Sequence, residues 1–274
     1  KYSETVSIDG VSITFYPAGH VLGSAQILVE ASNMRIVASG DYKTAPDPTC
    51  LPFEPIACDV FITEATFGLP VFRHGDARRE ISKLLDSISL FPERAHLIGA
   101  YSLGKAQHVI ALLRQAGYER PIYLHGALET ITCYYESRGI ALGDIRLVRH
   151  ASKAELVGAI ALCPPTALKD VWTRRLPDPI TAFASGWMRV RARARQRGVE
   201  LPLVISDHAD WDQLTSTIPH TGAGEIWVTH GQEDALVHWC GTHGLRARPL
   251  RIESYGDENE EAEPSDKATD ESPP

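Results

Sequence analysis

Apolar residues alternate with polar ones from Val6 through Ile8, Val11 and Ile13 to Phe15, with Asp9-Gly10 in the middle. A period of two marks a half-buried strand. Asp-Gly between two such runs predicts a tight hairpin turn. Residues 26–30 and 35–38 predict a second hairpin, turned at Ala31-Ser32-Asn33. A repeated pattern follows. The runs "RIVASGD", "DVFITE", "PLVISDH" and "EIWVTH" are short and β-branched, and they end at Asp41, Glu64, His208 and His230. A fifth run, "ITFYPAGH", ends at His20, which lies between Gly19 and Gly23.

The middle of the chain has a different rhythm. "AHLIGAYSLGKAQHVIALLRQAG" reads as strand, small-residue turn and helix. "RPIYLHGALETITCYYESRG" and "LVGAIALCPPTALKDVWTRR" repeat that order. Strands alternating with helices predict a parallel sheet, so an α/β module is expected over about residues 70–198.

One strand ending in a polar residue carries no information, since every strand must end. Five that end in titratable residues point to one chemical edge, because loops at the ends of buried strands are where a rigid scaffold displays reactive groups. Three histidines and two carboxylates suit a metal site with an acid–base partner, and imidazole with carboxylate oxygen suits zinc or manganese.

Charge and composition narrow the setting. The net charge of −8 resides in the segment from Glu253 to Pro274, which holds nine acids and one lysine; the body before it is balanced. That acidic, proline-bearing segment is expected to be disordered. The five cysteines are odd in number and never spaced C-x-x-C, which argues against a disulfide framework or a cysteine zinc site and for a reducing cytoplasm. No apolar run approaches the roughly 18 residues of a membrane span. The chain starts at Lys1 directly in a strand pattern, so a front portion is expected to be missing.

In order along the chain, "PAGHVLGSAQ", "SGDYK", "ITEATFG", "SDHADW" and "VTHG" resemble the later metallo-β-lactamase motifs and the added motifs of the β-CASP nucleases. "AYSLGKAQHVIALL" and "ASGWM" resemble segments of that family's inserted cassette, and "GDYKTAPDPTC" with "FGLP" resembles its bacterial, ligase-associated DNA exonucleases. The resemblance implies an α/β fold: a metallo-β-lactamase αββα sandwich, N-terminally incomplete, in residues 1–69 and 199–252, with an inserted α/β β-CASP domain in 70–198 and an acidic tail in 253–274. It implies metal-dependent phosphodiester hydrolysis, as an exonuclease in ligase-associated DNA repair. The alternatives are RNA 3′-end processing, which a histidine at position 230 favours, and a non-catalytic nucleic-acid-binding scaffold. Nucleic acid, DNA ahead of RNA, is the implied partner, with a DNA ligase and a helicase beside it.

The resemblance also assigns residues. His20, Asp41 and His230 are the implied metal ligands, with Asp41 bridging two zinc ions (or manganese). Glu64 orients His208, which helps to protonate the leaving oxygen; Asp41, Glu64 and His208 form the implied catalytic set. Two metals about 3.5–4 Å apart can clamp the attacking and leaving oxygens of a phosphodiester. One element of the family pattern is absent: none of the eleven histidines forms an H-x-H pair, so the H-x-H-x-D-H motif is not in these 274 residues. At most partial metal binding, and an inactive fragment, are therefore expected.

Substrate contacts are read from charge. "MRVRARARQRG" sets Arg189, Arg191 and Arg193 at alternate positions, on one face if a strand and spread around if a helix. They could neutralise phosphates or belong to a solvated connector. Lys105 in "SLGKAQ" sits where a strand turns into a helix and is either a phosphate contact or part of a structural turn. His125 reads as an interface residue, and the remaining histidines as surface or second-layer. Trp187 and Trp211 either stack on a base or belong to the core.

Overall fold

Both hairpins form where the alternation predicts them. In the computed structural model, which describes residues 1–250, β1 (Thr5–Ile8) pairs antiparallel with β2 (Val11–Pro17). The turn residues Asp9 and Gly10 both have positive φ, 48° and 81°, the twist a two-residue hairpin requires. β3 (Ala25–Ala31) and β4 (Met34–Ala38) turn in the same way at Ser32 and Asn33, with φ of 50° and 62°. β5 (Val60–Ala65) then lies parallel to β4.

The middle of the chain builds a second sheet. In order come α1 (Ala77–Leu90), β6 (His96–Gly99), α2 (Lys105–Gln115), β7 (Ile122–Leu124), α3 (Glu129–Ser137), β8 (Ile145–Leu147), β9 (Ile160–Cys163), β10 (Ile180–Ala184), α4 (Arg191–Gln196) and β11 (Leu201–Leu203). Their six strands are all parallel, in the order β11-β10-β6-β9-β7-β8. β6, β7 and β9 are buried throughout, as a sheet covered on both faces demands. One face packs Ile98, Leu124 and Leu162 against Leu84, Val109 and Leu113 of α1 and α2. The other packs Leu97, Tyr123 and Ala161 against Val148, Leu156 and Leu176.

The chain then returns through α5 (Trp211–His220), β12 (Glu225–Gly231), α6 (Glu233–Thr242) and β13 (Arg246–Pro249). β12 pairs parallel with β5 and β13 with β12, giving a seven-stranded sheet in the order β1-β2-β3-β4-β5-β12-β13. Its core joins Val37, Phe61, Ile226 and Val228 to Trp211, Leu214, Leu236 and Cys240. All six strands of the second sheet thus lie in sequence between β5 and β12 of the first.

Two expectations are corrected. The run "PLVISDH" does not rejoin the first sheet at residue 199, because β11 pairs with β10 at the edge of the second. The first and last segments share one sheet among the described residues, because β5 bridges β4 and β12 edge to edge. The third strand–turn–helix repeat has no α-helix; Pro164 and Pro165 open it, and residues 165–167 and 171–175 form 3-10 turns. The acidic segment 253–274 lies outside the described residues.

The two sheets meet at Gly104, just before α2. Gly104 has φ +81°, and a Cβ there would collide with the Val21 side chain on the loop after β2. Gly104→Ala should therefore destabilise by about 1–3 kcal/mol, from backbone strain and overpacking. At roughly 2–4 °C per kcal/mol for a chain of this size, thermal unfolding should fall by several degrees. An unchanged midpoint would mean that the loop and α2 are not held in this contact.

Candidate metal centre

The glycines around His20 have a steric reason. Gly19 has φ +71°, and a Cβ there would strike the carbonyl of Lys43 and come within 2.9 Å of the Phe53 amide nitrogen. The loop can reach this position only without a side chain. Ser24 then fixes it, its Oγ accepting from the N–H groups of His20 and Val21 at 3.2 Å each. Asp41 follows β4 beyond Gly40 (φ +57°). Glu64 lies within β5, and its side chain is 1% exposed. His208 lies between β11 and α5, two residues before Asp210, which caps α5 by accepting from the Gln213 N–H at 3.0 Å.

These elements bring four of the expected residues together. His20, Asp41 and His208 offer ligand atoms that all lie within 4.8 Å of one another. His20 Nε2 is 3.9 Å from Asp41 Oδ2, and His208 Nδ1 is 3.9 Å from Asp41 Oδ1. The two imidazole centroids are 4.7 Å apart. Behind them Glu64 accepts from His208 Nδ1 at 3.0 Å and from the Tyr42 N–H at 2.7 Å.

The two histidines are electrostatically unlike. Burial, and then the neighbouring His208, pulls the His20 pKa below its ordinary value, so His20 is neutral and can ligate. Burial would also lower His208, but the charge and hydrogen bond of Glu64 outweigh it and raise the pKa. Glu64 in turn is held below the usual carboxylate range: burial opposes this, and the His208 charge and hydrogen bonds overcome it.

The donor set fits a metal ion. The backbone carbonyl of Asp207 lies 3.0 Å from His20 Nδ1. A carbonyl can only accept, so Nδ1 carries the proton and Nε2 presents its lone pair toward Asp41. Metal-ligating imidazoles are commonly oriented by such an outer hydrogen bond.

His230 is not part of this group. A bulge between Thr229 and Gly231 disrupts its pairing with β5, and its backbone turns to φ +56°. Its side chain is exposed. Lys105 is also placed differently from its phosphate-contact reading: it is 3% exposed and its Nζ lies 2.9 Å from Asp207 Oδ2. The arginines are on the short helix α4 and the turn before it, so they spread rather than line one face. Arg189 and Arg191 are exposed, while Arg193 is half-buried and lies over the Trp187 ring at 4.2 Å. Trp187 packs on Phe67 at 4.8 Å, and Trp211 is core.

Sequence reasoning missed the layer beneath. Lys43, Asp47, Lys105, His108 and Asp207 form a buried charged cluster, each at most 7% exposed at the side chain. Lys43 Nζ lies 2.6 Å from Asp47 Oδ2, and His108 Nδ1 lies 3.2 Å from the same oxygen. The available signal was helical spacing, since Lys105 and His108 share one face of α2 at i and i+3.

Comparison with solved structures places the fold first. The chain superposes on a crystal structure of a protein of unknown function from Enterococcus faecalis V583, with TM-score 0.57 and 12% identity, covering 92% of this chain and 65% of that one. No family model matches. Sequence relatives are more specific. A probable DNA ligase of Opitutus terrae is 26% identical over 255 residues, covering 90% of this chain and 24% of the ligase. Cleavage and polyadenylation specificity factor subunit 3 of Dictyostelium discoideum is 29% identical over 141 residues, and endoribonuclease YSH1 of Saccharomyces cerevisiae 31% over 115. These cover 50% and 41% of this chain, but only 17% and 15% of the relatives. The chain thus spans about a quarter or less of each. Its homologues include nucleases of the β-CASP metallo-β-lactamase family.

Proposed function

We propose that this chain carries part of the metal centre of a β-CASP-type phosphodiesterase that trims DNA ends in a ligase-associated setting. The convergence of His20, Asp41 and His208, with Glu64 buried behind His208, supports this reading most strongly. Residues 1–69 and the return from α5 form the metal-bearing unit; residues 70–198, with β11 added to their sheet, form the inserted cassette. His20 Nε2 and Asp41 are the donors to a divalent ion, zinc ahead of manganese. The ion supplies Lewis acidity toward a phosphodiester oxygen. Glu64 favours the protonated form of His208, in which Nδ1–H is donated to the carboxylate and Nε2–H can protonate a departing oxygen. Exposed Arg189 and Arg191 are available to phosphates.

His20 and Asp41 supply two protein donors to one ion. A second ion needs further donors, and no H-x-H pair occurs in the 274 residues. The chain alone should therefore bind one Zn2+ and hydrolyse poorly. The assignment to DNA draws on the ligase relative, which aligns along 90% of this chain. Cleavage of RNA is the second reading, supported by the endoribonuclease relatives.

Calorimetric titration with Zn2+ tests the site. One saturable ion should bind, and His20→Ala should weaken binding at least tenfold, in line with loss of a direct ligand. Equal binding by the variant would end the metal reading. Residual cleavage of matched end-labelled DNA and RNA by this chain with Zn2+, at several salt concentrations, separates the substrates. Faster cleavage of RNA would overturn the DNA assignment.

A further inference from the structure

The buried Lys105–Asp207 pair joins the second sheet's helix to the candidate metal ligand. Lys105 is the first residue of α2, while Asp207 lies on the segment that leads to His208. Their side chains are 4% and 7% exposed, with Nζ 2.9 Å from Oδ2. The same residue, Asp207, offers its backbone carbonyl to His20 Nδ1 at 3.0 Å. One anchored residue therefore has its carboxylate held by α2 and its carbonyl on the imidazole.

Neighbouring contacts reinforce this geometry. Gly104, one residue before Lys105, packs against Val21. The N–H of Leu22 donates to Tyr135 Oη of α3 at 3.2 Å. Gln107 Oε1 accepts from the Gly104 N–H at 3.0 Å, and its Nε2 donates to Thr132 Oγ1 at 3.0 Å, tying the start of α2 to α3. Val21 and Leu22 are thus held from α2 and α3, and His20 by Asp207, whose carboxylate Lys105 of α2 holds in turn.

We propose that Lys105, acting through Asp207, is a positioning residue for His20: it fixes the carbonyl that holds Nδ1–H and thereby aims Nε2 at the metal position. The inference rests on the metal-site reading above. It also gives the pair a purpose other than stability, since a buried ion pair is often no more stabilising than apolar residues of the same volume. The second sheet would then do more than present substrate, because its helix α2 would set the ligand geometry of the first.

The test compares Zn2+ affinity in wild type, His20→Ala, Lys105→Met and the double variant Lys105→Met/Asp207→Asn. Lys105→Met alone leaves a buried carboxylate without its partner and can unfold. The double variant removes both charges while keeping the residue-207 carbonyl. Nitrogen NMR of the metal-free chain reports the His20 tautomer separately. Zn2+ should bind about 10–100-fold more weakly to the folded variants, the usual cost of losing an outer partner of a ligand, and His20 should no longer hold its proton solely on Nδ1. If the double variant is folded and binds Zn2+ as wild type does with the Nδ1–H tautomer intact, the inference is overturned. If His20→Ala also binds as wild type does, the failure lies in the metal reading itself; if only His20→Ala is impaired, it lies in the positioning role.

Discussion

Asp47→Ala should unfold about 6–20 °C below wild type, from a loss of about 3–5 kcal/mol at roughly 2–4 °C per kcal/mol. The reason is a charge count. Lys43 and Lys105 face Asp47 and Asp207 in a cluster no more than 7% exposed, and burial with the nearby Lys43 lowers the His108 pKa so that this ring adds no charge at neutral pH. The cluster is balanced, and removing one carboxylate leaves a buried positive charge. Breaking a buried pair from one side costs about 3–5 kcal/mol. Asp47 also accepts from the Thr49 N–H at 2.8 Å and the Thr49 hydroxyl at 2.6 Å, and those donors lose their partner as well. The pH dependence has a definite sign. Burial alone would raise both carboxyls, but His108 and Lys43 hold Asp47 below its ordinary value, and Lys105 holds Asp207 well below it. Their contribution is fully present above the unfolded value of about 3.9 and is lost as pH falls through the folded values. Unfolding followed by circular dichroism from pH 7 to pH 3 should therefore show a steep acid loss in wild type and a shallower one in Asp47→Ala. A midpoint within two degrees of wild type at pH 7, on the same scale of degrees per kcal/mol, would show that the cluster is not the tight buried network described.

Much of this architecture was legible because it depends on local pattern. Alternation and positive-φ turn residues fixed the two hairpins, and apolar runs with small-residue turns marked β6, β7 and β9. Strand ends in titratable residues led to His20, Asp41, Glu64 and His208, which do converge. What was not legible depends on tertiary partners. Nothing within "PLVISDH" says which sheet its strand joins; pairing with β10 decides that. In sequence His230 closes an apolar run just as His208 does, but it sits at a bulge in β12 with its side chain exposed, while His208 lies on the segment between β11 and α5. Lys105 has the local appearance of a phosphate seat, but Asp207, about a hundred residues further along, claims its charge. Asp47 and His108 carry no motif by themselves, and their meaning appears only when two sheets bring them within 3.2 Å.

Glu64→Gln should change the chemistry of the centre more than its shape. Glutamine keeps an oxygen for the Tyr42 N–H but removes the charge that raises His208. With Glu64 present, the attraction of the carboxylate outweighs burial and His208 titrates above its ordinary value of about 6.5. Without it, burial and the Lys105 charge are opposed by Asp41 alone, and the imidazole should titrate lower than in wild type. Proton NMR of the metal-free chain reads this directly. Linkage fixes the accompanying stability change. The raised His208 contributes stability below its unfolded value that is lost as pH rises through the folded value. The depressed Glu64 contributes above about 4.3 and loses it as pH falls. The pair is therefore most stabilising between those limits, and Glu64→Gln should lose most stability near pH 5–6. In a form of the protein that cleaves phosphodiesters, loss of a protonated donor should slow the reaction about 10²–10⁴-fold and move the alkaline limb of the rate profile toward lower pH. Zn2+ affinity should change far less than in His20→Ala, because Glu64 touches His208 and not the His20–Asp41 pair. Should Glu64→Gln strip the metal as thoroughly as His20→Ala, His208 would have to be a ligand, with Glu64 as the partner that holds it on the ion.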